Sequence, residues 1–335
     1  MWHVGIDLHR EFVVMAAVND TGEAMAPVRI RCEDTGTIVG TLEVLKPFRA
    51  VIEASGTYRW LYDLLRPYGT VLLAHPLRLR AMIQRRTKTD KLDAQLLANL
   101  LRIDQIPLAY IPPEPYQQLR DLTRGRARLV RDQAEVKIKL RALLARQNRQ
   151  APYRVPFGVR GMAWFGTQDF GPIENLVRDE LLERLKHYQR QLAILEEHVS
   201  RMQKAFPQVE VLLEIHGIGP YSALLIVAEL GEVERFRTAK QVGAYAGLTS
   251  RVHQSGGHCH RGSITRQGSP WLRWILVEAA MKVVREDAGL KNFYTRVRKR
   301  SSAKIARVAT ARKLAEICWK RLRRWQQGQR QPTAA

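Results

Sequence analysis

The chain has 335 residues, with 55 Lys+Arg against 32 Asp+Glu and a formal net charge of +23. With 45% hydrophobic and 26% charged residues it can bury a core, which excludes wholesale disorder, and its length suits about two domains. No apolar run reaches the roughly 20 residues of a bilayer span, the opening MWHVGIDLHREF breaks any signal-type stretch with a carboxylate, and Cys32, Cys259 and Cys318 are too scattered for a disulfide framework, so a cytoplasmic protein with free thiols and no membrane contact is expected.

Residues 3–18, HVGIDLHREFVVMAAV, read as two apolar runs around a polar break at 7–11, hence two paired strands. A strand at 28–32, a helix at 37–45, a strand at 50–52 that ends at Glu53, a helix at 60–65 and a strand at 70–74 follow. An initial hairpin followed by alternating strands and helices predicts a mixed sheet covered by helices. After His75 and Pro76 the pattern turns helical, and TKTDKLDAQLLANLLR reads as a helix entered near Thr89.

From 116 to 149 the chain is helical and highly charged, with Leu119, Leu122, Leu129, Val136, Leu140 and Leu143 close to one face. Gly and Pro punctuation breaks it between Pro152 and Pro172, and a second charged helix runs from 173 to 206, predicting an antiparallel helical arm and a possible dimer contact. HGIGPYSALLIVAEL then places Gly217 and Gly219 in a turn before an apolar helix. Such a turn can hold a DNA phosphate on its amides, or can simply join two core helices. A glycine-rich polar loop is expected at 247–268, an apolar helix at 270–284 and a basic helical segment at 290–325.

That segment puts Ile305, Val308, Ala311, Ala315 and Ile317 on a packing side and bases, including Arg298, Lys299 and Arg300, elsewhere; Tyr294, Trp319 and Trp325 are aromatics for core packing or base stacking. The expected boundaries are 1–112 for the α/β domain, 113–206 for the arm, 207–326 for a mainly helical domain and 327–335 for a disordered tail.

The charge is uneven along this order. Residues 235–335 hold 23 Lys+Arg against 4 Asp+Glu, whereas 1–110 hold 14 against 12 and 111–234 hold 18 against 16. Between Arg120 and Arg160 twelve basic residues meet only Asp121, Asp132 and Glu135. Self-repulsion of this density calls for a polyanion, and nucleic acid fits better than an anionic membrane because no membrane-type apolar face accompanies the charge.

Four carboxylates stand out by position: Asp7 in the first strand pair, Glu53 at a strand end, and Asp90 and Asp93 on one face of a helix start. A carboxylate in an apolar strand is costly unless a cation neutralises it, and hard oxygen donors suit Mg²⁺. Four can hold two ions that polarise a phosphodiester. Each alone reads equally as structural: Asp7 in a turn, Glu53 in a salt bridge, Asp90 as a helix N-cap, Asp93 on the surface. His253, His258, Cys259 and His260 lack the two-to-four-residue spacing and second pair of a zinc site and are given no role.

GIDLH, VIEASGTY and TKTDKLDAQLLANLL, together with HGIGPYSALLIVAELG, AYAGLTSRVHQSGG and RGSITRQGSPWLRWILVEAA, resemble the DEDD transposases of the "one-ten" insertion-sequence family, relatives of the Piv invertases. The resemblance implies a prokaryotic mobile-element protein with a ribonuclease-H-like, RuvC-like first domain and a C-terminal transposase domain. It implies metal-binding roles for Asp7, Glu53, Asp90 and Asp93, and a nucleophilic role for Ser255 in QSGG. It further implies recombination of donor and target DNA through a covalent serine–DNA intermediate, directed by a noncoding bridge RNA.

From the residues alone Ser255 is a poor nucleophile until activated, with Gly256 and Gly257 giving backbone freedom, and Ser250 and Ser263 compete for the role. Arg251, Arg261 and Arg266 are candidate phosphate clamps. Metal and serine fall in different domains, so a homo-oligomer, a dimer or tetramer, is expected. A RuvC-like nuclease that activates water is the competing enzyme; a nucleic-acid-binding protein without catalysis is the competing binder.

Overall fold

The computed structural model describes residues 1–82, 89–255 and 258–330, apart from the side chains of His253, Ser255, His258, Cys259, Arg261 and Arg330. Two units result, Met1–Ile111 and Pro112–Ala335.

In the first unit, strands β1 (Trp2–Leu8) and β2 (Phe12–Asn19) are buried along most of their length, so both faces of the sheet are covered and the strands are near-continuous apolar runs. With β3 (Val28–Arg31), β4 (Phe48–Glu53) and β5 (Thr70–Ala74) they form a sheet of order β3-β2-β1-β4-β5. The β2 pairings with β1 and β3 are antiparallel, and those of β4 with β1 and β5 are parallel. This is the mixed sheet expected.

Helices α1 (Thr35–Val44) and α2 (Tyr58–Leu65) cover one face, where Ile38, Leu42, Leu61 and Leu65 share a core with Val4, Ile6, Ala50 and Ile52. Following α3 (Pro76–Met82), helix α4 (Asp90–Arg102) covers the other face. Its Leu97 and Leu101 pack with Val51, and its Ala94 with Val14 and Ala16. Side chains alternate along a strand, so Gly5 and Asp7 face α4, as do Val51 and Glu53.

The second unit is helical apart from one ribbon. Helices α5 (Glu114–Arg146) and α7 (Pro172–Ala205) run antiparallel, as the face Leu119, Val136, Leu140 and Leu143 predicts. The interval 152–172 is not a plain break: it contains α6 (Val159–Thr167), because Phe157, Phe165 and Phe170 supply a small core against Leu181, Leu182 and Leu185.

Leu119 and Val199 join the larger core of α8 (Gln208–Leu213), α9 (Pro220–Leu230), α10 (Ala239–Tyr245), α11 (Pro270–Glu286), α12 (Ala288–Arg300) and α13 (Ala303–Arg330). The expected loop at 247–268 instead carries an antiparallel ribbon, β6 (Ser250–Ser255) and β7 (His258–Ile264), in which Val252 pairs with Arg261 and Ser255 with His258.

Three further expectations are corrected. The basic segment is two helices, because Ser301 ends α12 and the Ser302 hydroxyl accepts from the Ile305 amide at the start of α13. Ile305 is 57% exposed, whereas Ala311 and Ala315 are buried and Val308 and Ile317 pack on the core as expected, beside Ala306, Thr310, Leu314, Cys318, Trp319 and Leu322. The tail remains helical to Arg330, and residues 331–335 lie outside the described ones. Among the described residues, no helix is long and apolar enough to cross a membrane.

Candidate metal centre and nucleic-acid interface

The parallel pairing of β1 with β4 reaches Ile6 opposite Ile52, so Asp7 and Glu53 are the next residues of neighbouring strands on one face. Helix α4 arrives above them because Gly5 has no side chain. A Cβ there would run into the Ala94 carbonyl and lie 2.5 Å from the Ala98 nitrogen and 2.8 Å from Leu97 Cβ. Thr89, rather than Asp90, caps α4, its hydroxyl accepting from the Leu92 amide at 3.3 Å. That leaves both Asp90 and Asp93 in the first turn of the helix.

Among the described residues, one group of possible metal ligands has donor atoms all within 4.8 Å of one another: Asp7, His9 and Asp90. His9 Nε2 lies 3.0 Å from Asp7 Oδ2 and 3.3 Å from Asp90 Oδ1. Its ring stacks on Phe12 at 4.6 Å between centroids, and the Arg29 guanidinium also lies over the Phe12 ring, 3.5 Å from its centroid.

Burial pushes the Asp7 carboxyl above the ordinary aspartate value; the charges of Asp93 and Asp90 push the same way, and the His9 charge and hydrogen bond oppose them. The donor set therefore fits a divalent cation: hard oxygens, converging, with more negative charge than one imidazole offsets. Glu53 and Asp93 stand outside the 4.8 Å group, Glu53 on the same sheet face and Asp93 near enough to act on Asp7.

Sequence reasoning missed His9. It reads as part of a polar break, although the two-residue spacing from Asp7 is the strand period that puts both on one side.

In the second unit, Ser255 is the last residue of β6, and its side chain lies outside the described residues, as do Gly256, Gly257 and the side chains of Arg261, His253, His258 and Cys259. The base of the ribbon is tied down. Arg266 adopts a left-handed backbone (φ 55°), and its carbonyl and that of Ala246 accept from Arg273 Nη1 at 3.3 and 3.1 Å. Ser269 caps α11 and donates to the fully buried Glu229 at 2.7 Å; Glu229 also takes the Arg124 fork at 2.7 and 2.9 Å. These pairs join the ribbon's base to α5 and α9.

Gly217 (φ 94°) has a packing duty, since a Cβ there would lie 2.7 Å from the Val283 nitrogen on α11, whereas Gly219 opens onto empty space as the N-cap of α9. Arg251, Arg266, Arg298, Lys299 and Arg300 are exposed, the last three in the final turn of α12, where cations also suit the helix dipole. Trp319 is buried, its indole donating to the Val233 carbonyl at 3.0 Å, so it is no base-stacking platform.

Known proteins are similar to this chain along both of these stretches of sequence. A DEDD-type IS110 family model, described as "Transposase", matches residues 4–148, and the model "Transposase IS116/IS110/IS902 family" matches residues 209–295. A "Probable family 20 transposase" of Pseudomonas aeruginosa is 31% identical over 75% of this chain and 78% of its own length. The "Transposase for insertion sequence element IS1111A" of Coxiella burnetii is 26% identical over 71% of this chain and 67% of its own. The "Pilin gene-inverting protein" of Moraxella bovis is 26% identical over 64% and 59%. The matched spans contain Asp7, Glu53, Asp90 and Asp93 in one and Ser255 in the other.

Proposed function

The chain belongs to the IS116/IS110/IS902 family of insertion-sequence transposases, and from that membership we propose that it cuts and rejoins DNA by a metal-dependent reaction in which Ser255 is the nucleophile. In this reading residues 1–111 are a ribonuclease-H-like, RuvC-like domain, consistent with the strand order β3-β2-β1-β4-β5 and its mixture of antiparallel and parallel pairings.

Asp7, Glu53, Asp90 and Asp93 would hold magnesium, as two ions. The observation that carries the reading is the convergence of Asp7 and Asp90 across the sheet and helix, with Glu53 on the same face. Bound divalent ions supply Lewis-acid polarisation of the scissile phosphate.

The chain's own residues do the rest. Gly5 lets α4 close on β1 and so fixes the distance between the carboxylates. Ser255 Oγ attacks phosphorus and forms an Oγ–P ester while the bond to the leaving strand oxygen breaks; the serine proton leaves to a base or water, and the departing oxygen takes one up. Arg251, Arg261 and Arg266 are suited to hold the phosphate oxygens as charge builds. A hydroxyl of the new strand reverses the step and frees the serine, which conserves the phosphodiester. The kinship with a gene-inverting protein supports strand exchange over simple hydrolysis.

We assign the basic surfaces of Arg298–Lys299–Arg300 and the turn of Gly217 and Gly219 to nucleic acid, donor and target DNA with a bridge RNA, and expect a homo-oligomer. Incubation of purified protein with element-end DNA and Mg²⁺, followed by denaturing electrophoresis, tests the nucleophile. Ser255→Ala should abolish the covalent protein–DNA adduct. An adduct that survives would move the nucleophile elsewhere, and cleavage by the wild type with no adduct would make water the nucleophile. Sequencing of co-purified RNA tests the guide.

A further inference from the structure

We propose that a groove between the β6–β7 ribbon and helices α12 and α13 holds one unpaired nucleotide of single-stranded DNA, its base on Phe293 and its phosphates toward Lys304, Arg312 and Lys313. This rests on the reading of the protein as a DNA recombinase and adds where the strand is gripped.

The open groove has a volume of about 830 Å³ and runs from Ser250 and Ser263 on the ribbon to Phe293, Lys304, Arg312, Lys313 and Glu316 on the helices. That size is within the ~300–1,000 Å³ usual for small-ligand sites.

Phe293 and Tyr294 are neighbours on α12 with different fates. Tyr294 packs on the unit's main core, while Phe293 is half-buried, stays out of that core and lines the groove. Arg296 and Lys313 Nζ lie over its ring, 5.8 and 5.9 Å from the centroid, at the outer limit of a cation–π contact that a stacked base could replace. Ile305, 57% exposed, adds apolar surface to the same groove.

The charge is complementary to phosphate. Arg312 faces Glu316 at 3.6 Å, and among the described residues neither Lys304 nor Lys313 pairs with a carboxylate. An aromatic face beside several cations is what single-strand sites use, because every base has a face to stack. In a duplex that face is covered by the adjoining base pairs, so only an unpaired base can meet Phe293. The choice of DNA follows from the strand itself: Ser250 lines the groove and Ser255 ends the same β6, on the order of 16 Å away at strand spacing. A DNA strand presented to Ser255 is thus within a few nucleotides' reach of the groove.

The test is fluorescence anisotropy of the full-length protein with a labelled single-stranded DNA, the same sequence as duplex, and as single-stranded RNA. Phe293→Ala should weaken single-stranded DNA binding about tenfold and leave duplex binding within about twofold. Phe293→Leu, which keeps an apolar side chain of similar bulk, should show the same loss, and Phe293→Trp should retain affinity. Lys304→Gln should lower the salt slope for single-stranded DNA by about 0.7.

Single-stranded DNA affinity unchanged in both Phe293→Ala and Phe293→Leu overturns the proposal, as does an equal loss for duplex. A loss confined to RNA overturns the choice of DNA. Wild-type protein that binds no nucleic acid would sink the recombinase reading as well; wild-type protein that binds and cleaves, with silent Phe293 variants, would sink the groove alone.

Discussion

The acidic residues of the first unit and the serine ribbon of the second are held in opposite ways. Asp7 extends a strand whose neighbours Val4, Ile6, Val51 and Ile52 are fully buried, and α4 presses on that strand at Gly5, so the carboxylates inherit the rigidity of a core. Ser255 ends a strand that is polar on both faces, and the ordering contacts gather at its root, where Arg273, Ser269, Glu229 and Arg124 interlock. Ligands for a metal ion must be placed to about 0.5 Å, and a sheet face with a helix pressed on it gives that placement. In the proposed reaction Ser255 has to reach a DNA phosphate, and a ribbon with an anchored base suits that. The charge divides in the same way: acids converge in a unit whose sequence is nearly balanced, while the excess of bases belongs to the ribbon-bearing half.

The largest effect should come from the rigid side. Asp7→Asn keeps the shape of the side chain and removes its charge, and we expect plasmid nicking in Mg²⁺ to fall by roughly a thousandfold, equivalent to about 4 kcal/mol of barrier. Binding of DNA by anisotropy should change less than about twofold. Nicking retained above a tenth of wild type would break the comparison, because the metal would then lie elsewhere.

Next in size is the anchor. Glu229→Ala removes the partner of the half-buried Arg124 guanidinium and the buried Ser269 hydroxyl, and urea unfolding should show a loss of about 2 kcal/mol. Binding of Mn²⁺ to the acidic centre, followed by electron spin resonance, should persist at low urea. A loss below about 1 kcal/mol would mean that the root of the ribbon is held by Arg273 alone.

The two regions also differed in how far the sequence disclosed them. The strands of the first unit were legible to within about two residues because burial on both faces makes each an apolar run. Asp7 and Asp90 were legible as odd carboxylates in that setting, and they do converge. His9 was hidden inside the same polar break that marked the turn. The ribbon was read as a loop, since RVHQS and HCHRGSI carry no alternation of apolar and polar residues for a strand pattern to register. Helix α6 was hidden by Gly158, Gly161 and Gly166, which count as breakers although Phe157 and Phe165 bury a core there. The role of Ser255 came from resemblance to a family; in the sequence, spacing alone does not exclude Ser250 or Ser263.

A smaller effect tests how the helix sets the acidic centre. Gly5→Ala puts a methyl where the α4 backbone passes, and either strand or helix must yield, at about 2 kcal/mol of stability. Because the displaced segment carries Asp90, Mn²⁺ affinity should drop about tenfold with it. A variant that is destabilised yet binds Mn²⁺ normally would show that the carboxylates gather without help from the packing at Gly5, and the contrast with the ribbon would lose its cause.

The smallest effect concerns charge in the absence of metal. Asp7 holds its proton more tightly in the folded protein than in the unfolded chain, chiefly through burial, with Asp93 and Asp90 adding to it and His9 opposing. Its contribution to stability is thus fully present below the ordinary value of 3.8 and is lost as pH rises through the higher folded value. Above that folded value Asp7→Asn should melt about 2 °C higher than wild type in chelator, with the gap closing toward acid pH. Saturating Mg²⁺ should invert the order, raising the wild type and leaving the variant where it was. If Asp7→Asn melted lower than wild type in chelator at neutral pH, the His9 contact would outweigh burial and repulsion together. The centre would then be built around an imidazole bridging two carboxylates, and the packing of His9 would matter more to its stability than the repulsion among the acids.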